Sequence, residues 1–222
     1  MDFSVILTKS NLLLLLSGLG YTILFSVVSF ALSIIIGVIV AFGQMSKIKV
    51  IHGLSVFYLS WFRGTPLLVQ LFLMYYGLPL LLGITTVPWV SGILSLGLYS
   101  GSYSSQIIRG AIQSIGKGQM EAGRSLGFSY AQTMKKIILP QAALRTFAPL
   151  TNEFISVTKN SALLSTITVV ELFREANLIM SSTYRTLETL IVASILYYIF
   201  NNLIGFVGSW FEKHFRTGEE LR

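Results

Sequence analysis

The sequence predicts an all-α integral membrane protein with five transmembrane helices and a helical loop on the cytoplasmic side. Three observations predict it. Of 222 residues, 53% are hydrophobic and 11% charged, where a soluble domain carries about 25% charged residues. Five stretches each supply the roughly 20 mostly apolar residues that cross a bilayer. Lysine and arginine are shared very unevenly between the two sets of connecting loops.

The first stretch covers about residues 20–44. The run Leu12–Leu16 precedes it, with only Lys9 ahead and no small-residue cleavage site behind. That predicts an interfacial anchor rather than a cleaved signal. The second stretch lies within 50–82 and is interrupted by Arg63-Gly64-Thr65-Pro66. Thr65 and Pro66 suit the N-cap and N1 positions. One helix then ends near Phe62, and the span covers 66–83. Arg63 would snorkel to the cytoplasmic interface. The alternative is a continuous helix kinked at the proline. Gly77 and Pro79 mark the outer end of this span, and Gly83–Pro88 forms the outside turn.

The third stretch, about 88–108, contains Gly97-Leu98-Tyr99-Ser100-Gly101. Small residues at this spacing let helices approach closely, within one chain or across a dimer seam. Tyr99, Tyr103 and Gln106 share a face that looks into protein or a wet cavity. The fourth stretch, about 144–169, is the most polar, and the fifth is about 187–211. With no internal repeat, residues 1–222 read as a single transmembrane domain.

With the N-terminus outside, eleven basic residues face the cytoplasm: Lys47, Lys49, Arg109, Lys117, Arg124, Lys135, Lys136, Arg145, Lys213, Arg216 and Arg222. Only Lys9, Arg174 and Arg185 lie outside. This asymmetry sets the orientation as N-out, C-in. It also accounts for the net charge of +7. The basic residues flank membrane segments instead of gathering on one soluble face, so no nucleic-acid partner is expected. The chain has no cysteine and two distant histidines, His52 and His214, so no metal site is expected. Gly110–Lys117 approximates a phosphate loop, but its spacing is one residue too long and Gly118 replaces the required Ser or Thr. No nucleophile elbow or potassium-type filter is present. The chain is expected to be no enzyme and to hold no cofactor.

The loop from Gln113 to Arg145 carries apolar residues at helical spacing among its lysines and arginines. Such a surface suits docking by another protein. Ser129 caps a second short helix that ends at Pro140. Within the fourth span, Asn152, Glu153, Ser156, Lys159 and Asn160 stand among apolar residues. An ionisable group in a bilayer costs about 2.5–3.5 kcal/mol on insertion scales, so these groups face a partner or water. At 100° per residue the five fit an arc of about 120°, and they extend over roughly 12 Å. A carboxylate, an ammonium, amides and a hydroxyl on that scale suit a zwitterion such as an amino acid. The bland alternative is an internal Glu153–Lys159 pair that holds the bundle together.

Glu121-Ala122-Gly123, then Gly127, then Ile137-Ile138-Leu139-Pro140 resembles the EAA loop of ABC-importer permeases. Trp61–Gln70, Arg109–Ile115 and Asn152–Leu163 resemble the polar amino-acid subfamily, which includes histidine, glutamine, glutamate and arginine permeases. The resemblance covers nearly the whole chain. It implies a multi-pass protein of the bacterial cytoplasmic membrane that imports a polar L-amino acid. Its implied partners are two cytoplasmic ATP-binding ABC subunits, a second permease subunit of the same or a related chain, and an extracytoplasmic amino-acid-binding protein. ATP and Mg would sit on the ATPases, not here. Glu121, Ala122, Gly123, Gly127 and Pro140, in the coupling loop 113–143, would couple to the ATPase. Glu153 would meet the substrate amine and Lys159 its carboxylate, with Asn152, Ser156 and Asn160 orienting it. Three positions depart from the pattern. Gly123 replaces the usual second alanine, Gly116 a common proline, and Gln106 a common glutamate that would attract cations. An ion channel, a membrane scaffold, a membrane enzyme or a permease for another small polar solute or peptide are the competing classes.

The native chain contains no cysteine, so labels on introduced ones report orientation cleanly. A cysteine at Gly118 is expected to react only from the cytoplasmic side, and one at Thr86 only from outside. The reverse pattern overturns the orientation.

Overall fold

Small residues let two long helices lie almost against each other, and the rest of the bundle is built around that pair. The structure, a computed structural model, describes residues 3–216, with side chains to His214. Arg222 and the side chain of Arg216, both counted above as cytoplasmic, lie outside the described residues. All regular elements among the described residues are helical.

Helix α1 is Lys9–Met45. Its 37 residues rise about 55 Å, well beyond the roughly 30 Å of a hydrocarbon core. Leu12–Leu16 is therefore not a separate anchor. No proline or polar break divides it from the first span, so the helix simply runs through from its Thr8 cap.

Helix α2 is Lys49–Gly64, and α3 is Leu67–Leu82, bent 107° from it. The predicted break is present, but the caps sit one residue later than expected. Thr65 ends α2 in an extended conformation, as a residue before proline must, and Pro66 is the N-cap of α3 rather than its first residue. Nor do Gly77 and Pro79 end α3. The helix widens into a π-turn at Leu73–Gly77, continues past Pro79, and stops at Gly83 with φ +66°. Glycine takes that left-handed conformation without a Cβ penalty.

Helix α4 is Pro88–Ser114 and α5 is Lys117–Ser125. Helix α6 begins at Tyr130–Thr133, passes through a π-turn at Met134–Ile138, and continues as Leu139–Asn160. Ser129 caps it through a capping box, as predicted. Pro140 does not end it. A proline ring normally clashes with the carbonyl four residues back. Here, as at Pro79, a π-turn directly precedes the proline and absorbs the missing hydrogen bond.

A 3₁₀ segment, Ser161–Ile167, follows α6. Helix α7, Leu172–Thr183, was not expected from the sequence. It is short and carries Arg174, Glu175 and Asn177, so it reads as a polar loop. Glu171 holds its start. Its fully buried carboxylate accepts the backbone N–H groups of Phe173 and Arg174 at 2.8 and 2.6 Å. It also accepts the Tyr197 hydroxyl at 2.9 Å. Burial pushes the carboxyl up to about 7, against the pull of those bonds. Helix α8 is Thr186–Arg216. By length and composition, α1 and Thr186–His214 can each cross a membrane, and the bent pair α2–α3 passes when taken together.

The central contact joins α1 to α4. A Cβ on Gly37 would stand 2.9 Å from the Cβ of Ser104 and 3.2 Å from its backbone carbon. Gly97 receives Leu32, and Gly101 receives Ile36. Ser33 and Ser104 are buried, with their hydroxyls 3.3 Å apart. The Gly97–Gly101 pattern thus packs within this chain. The Tyr58 hydroxyl donates to the Leu98 carbonyl and pins α2 to the same helix. At the loop end, Ala41, Ile108, Ile112, Met134, Ile138 and Ala142 form one buried cluster. It joins the base of α6 to α1 and α4.

Gly37→Leu is expected to destabilise the purified protein by about 1–3 kcal/mol, the usual cost of overpacking. Gly20→Leu, where a Cβ meets nothing within 4 Å, is expected to be neutral. Thermal unfolding in one detergent checks both, and equal midpoints would refute the close-contact account.

Candidate functional site

Two places carry the sequence-predicted residues, and α6 runs through both. The first is the corner between α5 and α6. Helix α5 ends in a Schellman arrangement. The Phe128 N–H donates to the Gly123 carbonyl at 3.1 Å, and Gly127 adopts φ +84°. The turn exposes Leu126 to 75% and Tyr130 to 57%. Glu121, Ala122, Gly127 and Pro140 are exposed as well. Gly123 is the exception: it is buried, and a Cβ there would stand 2.5 Å from Cγ2 of Thr133. The departure from alanine therefore accompanies a β-branched residue on the facing turn.

The second place is the middle of the bundle. The Glu153 carboxylate accepts the Ser100 hydroxyl of α4 at 2.7 Å. It does not pair with Lys159, because at six residues' separation the two side chains point about 120° apart. Lys159 and Asn152 are exposed on the flank of α6, while Ser156 and Asn160 are half-buried. The arc predicted for the five residues is thus split between a side turned to α4 and a side that nothing in this chain covers.

Arg63 is exposed, and its side chain reaches toward α4. Its guanidinium lies 5.5 Å from the ring centroid of Tyr103, within cation–π range. The Tyr103 hydroxyl is 3.2 Å from that of Tyr99, and their rings pack at 5.1 Å. Tyr99 lies within electrostatic reach of Glu153. Tyr103 is three residues from Ser100, about 4.5 Å along the helix. Arg63 is thus linked to Glu153 through Tyr103, Tyr99 and Ser100 of α4. Sequence reasoning placed Tyr99 and Tyr103 on an inward face but did not join Arg63 to them.

Gln106 completes this face toward the loop end. It donates to Oε1 of Gln44 at 2.9 Å and accepts from Arg109 at 3.2 Å. On the opposite side of α6, an apolar cavity of about 600 Å³ lies between α1, α6 and α8, lined by Phe30, Phe147, Phe154 and Phe200 among others. Phe154 stands about 100° around the helix from Glu153, so this cavity is separate from the polar side chains. No cluster of His, Cys, Asp or Glu fit for a metal occurs among the described residues.

Comparison with known proteins decides the family. Residues 33–217 match the binding-protein-dependent transport system inner membrane component. The chain belongs to this family. The permease is 36% identical over 219 residues to the arginine transport system permease protein ArtQ of Bacillus subtilis (strain 168), covering 99% of both chains. It is 38% identical over 203 residues to the putative glutamine transport system permease protein GlnP of Rickettsia bellii (strain RML369-C), covering 91% of this chain and 93% of that one. The crystal structure of an amino acid ABC transporter with histidines superimposes with a TM-score of 0.90 at 34% identity, covering 96% of this chain and all of that one. These matches bear out the all-α permease fold and the resemblance read from the sequence.

Gly123→Ala is expected to loosen the α5–α6 corner, because its methyl meets Thr133 at 2.5 Å. Adding Thr133→Ala removes the clash and is expected to restore the wild-type proteolysis rate of the loop. If Gly123→Ala alone is neutral, the pairing is refuted.

Proposed function

We propose that this permease moves a polar L-amino acid into the cytoplasm as the transmembrane subunit of an ATP-driven importer. The observation that carries the reading is the pair of opposite charges, Arg63 and Glu153, joined along the tyrosine-lined face of α4. A free amino acid presents an ammonium and a carboxylate within a few ångströms. A site with one acid and one base about a helical turn apart complements both. A charge within a bilayer is costly unless a ligand, a partner or water meets it. The names of its relatives, an arginine and a glutamine permease, support the substrate class.

Glu153 receives the amine, steadied by Ser100, and Arg63 receives the carboxylate. Lys159 lies six residues beyond Glu153, about 9 Å farther from the loop end. It meets the carboxylate of the entering substrate, and Asn152, Ser156 and Asn160 orient it. Five spans lie N-out, C-in in the bacterial cytoplasmic membrane. The exposed flank with Asn152 and Lys159 faces a second permease subunit, identical or related, across the pathway. An extracytoplasmic binding protein delivers the amino acid. Two cytoplasmic ABC subunits hydrolyse ATP and dock on the corner at Glu121, Ala122 and Gly127. Gly123 shapes that corner from inside, and the exposed Pro140 belongs to its outer surface.

Uptake into vesicles with internal ATP, over a panel of radiolabelled amino acids, tests the roles. Losing one charge-assisted hydrogen bond costs about 1.5–3 kcal/mol, or roughly tenfold or more in affinity. Glu153→Gln is expected to reduce cationic substrates most. Arg63→Met and Lys159→Met are expected to reduce all amino acids alike. If the variants lose the folded complex and residual uptake keeps wild-type selectivity, these residues serve the bundle and not the substrate.

A further inference from the structure

The elbow between α2 and α3 is held by one side chain. Gln70 is 94% buried by its 6% exposure. Its amide nitrogen lies 3.0 Å from the Phe62 carbonyl, 3.1 Å from the Thr65 carbonyl and 2.8 Å from the Thr65 hydroxyl. All three are acceptors released by the break. A helix that stops at Gly64 leaves its last carbonyls without intrahelical donors, and in a bilayer water does not replace them. The Thr65 hydroxyl in turn donates to the Trp61 carbonyl at 2.9 Å. Gln70 thus reaches back from the first turn of α3 and closes the end of α2.

Arg63 lies inside this closed turn, between Phe62 and Thr65. Its backbone direction is set by the residues that Gln70 grips, and its guanidinium leaves the turn toward Tyr103. The other end of the Gln70 amide behaves differently. Its Oε1 has no donor among the described residues. It borders a cavity of about 190 Å³ between Trp61, Phe62, Met74 and Ser95. The side chain is therefore engaged through its donors alone. Glutamate at this position would set a carboxylate against three oxygens, and an apolar residue would leave two carbonyls unpaired.

We propose that Gln70 is a positioning residue for transport: it locks the 107° elbow and so aims Arg63 at the substrate carboxylate. This rests on the Arg63 role proposed above, and the test separates the two. The complete importer is reconstituted with spin labels at Phe57 and Leu81, exposed positions on either side of the elbow, in labelled permease diluted with unlabelled. Uptake is measured for Gln70→Leu, Gln70→Glu, Arg63→Lys and Arg63→Lys/Gln70→Leu.

Both Gln70 variants are expected to broaden the label-to-label distance distribution, Gln70→Glu more than Gln70→Leu. Gln70→Leu and Arg63→Lys are each expected to reduce uptake about tenfold, on the scale of one lost polar contact. The double variant is expected to fall no further than Arg63→Lys, because residues acting in series do not add. Should Gln70→Leu fail to assemble, Thr65→Val removes one acceptor and the Trp61 bond, and is expected to give the same broadening in milder form. An unchanged distance distribution overturns the lock. Losses that multiply in the double variant overturn the action through Arg63. If the elbow loosens while Arg63→Lys transports normally, the carboxylate role of Arg63 is what fails.

Discussion

The close approach of α1 and α4 is the constraint on which the rest of the bundle depends. Between membrane helices the apolar effect supplies little net attraction, since lipid tails are as apolar as leucine. Backbones must instead come near enough for dispersion and short polar contacts to act. Gly37, Gly97 and Gly101 give that nearness, and the buried serines of both helices line the remaining seam. Several polar side chains hang from α4 in turn. It carries Ser100 for Glu153, Tyr103 for Arg63 and Gln106 for Gln44. Helix α2 is tied to it at the Leu98 carbonyl. A shift of α4 relative to α1 would displace all of these together.

Much of this was legible in the sequence, and what was not has physical reasons. Apolar length located the long helices, and the Arg63–Pro66 break and the Ser129 cap stood where turn chemistry put them. The misreadings at Pro79 and Pro140 share one cause. Proline was taken as a helix terminator, whereas a π-turn ahead of each one removes the clash. Helix α7 escaped because its apolar face is only Leu172, Ala176 and Ile179, too short a stripe to stand out among Arg174, Glu175 and Asn177. At the site, angular arithmetic grouped Glu153 with Lys159 on one arc. Only the fold could show that α4 takes Glu153 while Lys159 stays on the open flank. The contact of Arg63 with Tyr103 was missed for a related reason: only the bend between α2 and α3 brings the two together.

Gln106 illustrates how a neutral residue can order a charged neighbourhood. Its amide donates to Gln44 and accepts from Arg109 at the same time. A carboxylate could serve Arg109 but would face the Gln44 oxygen without a proton to offer. Gln44 would then have to turn its amide over, and the residue that now leans on the Val40 carbonyl would exchange that contact for another. The substitution from glutamate thus rewires a hydrogen-bonded relay across α1 and α4 as well as changing a charge.

The second π-turn is followed by uninterrupted helix from Leu139 to Asn160. The α5–α6 corner and the polar side chains are consequently in fixed phase, like two marks on one shaft. Adding or deleting a single residue between Pro140 and Asn152 would rotate everything beyond it by about 100°. An added residue would turn Glu153 from Ser100 toward the apolar cavity and a deleted one toward the open flank, while the corner stayed where it is. The residue count of this stretch is therefore held fixed by geometry, whatever its side chains.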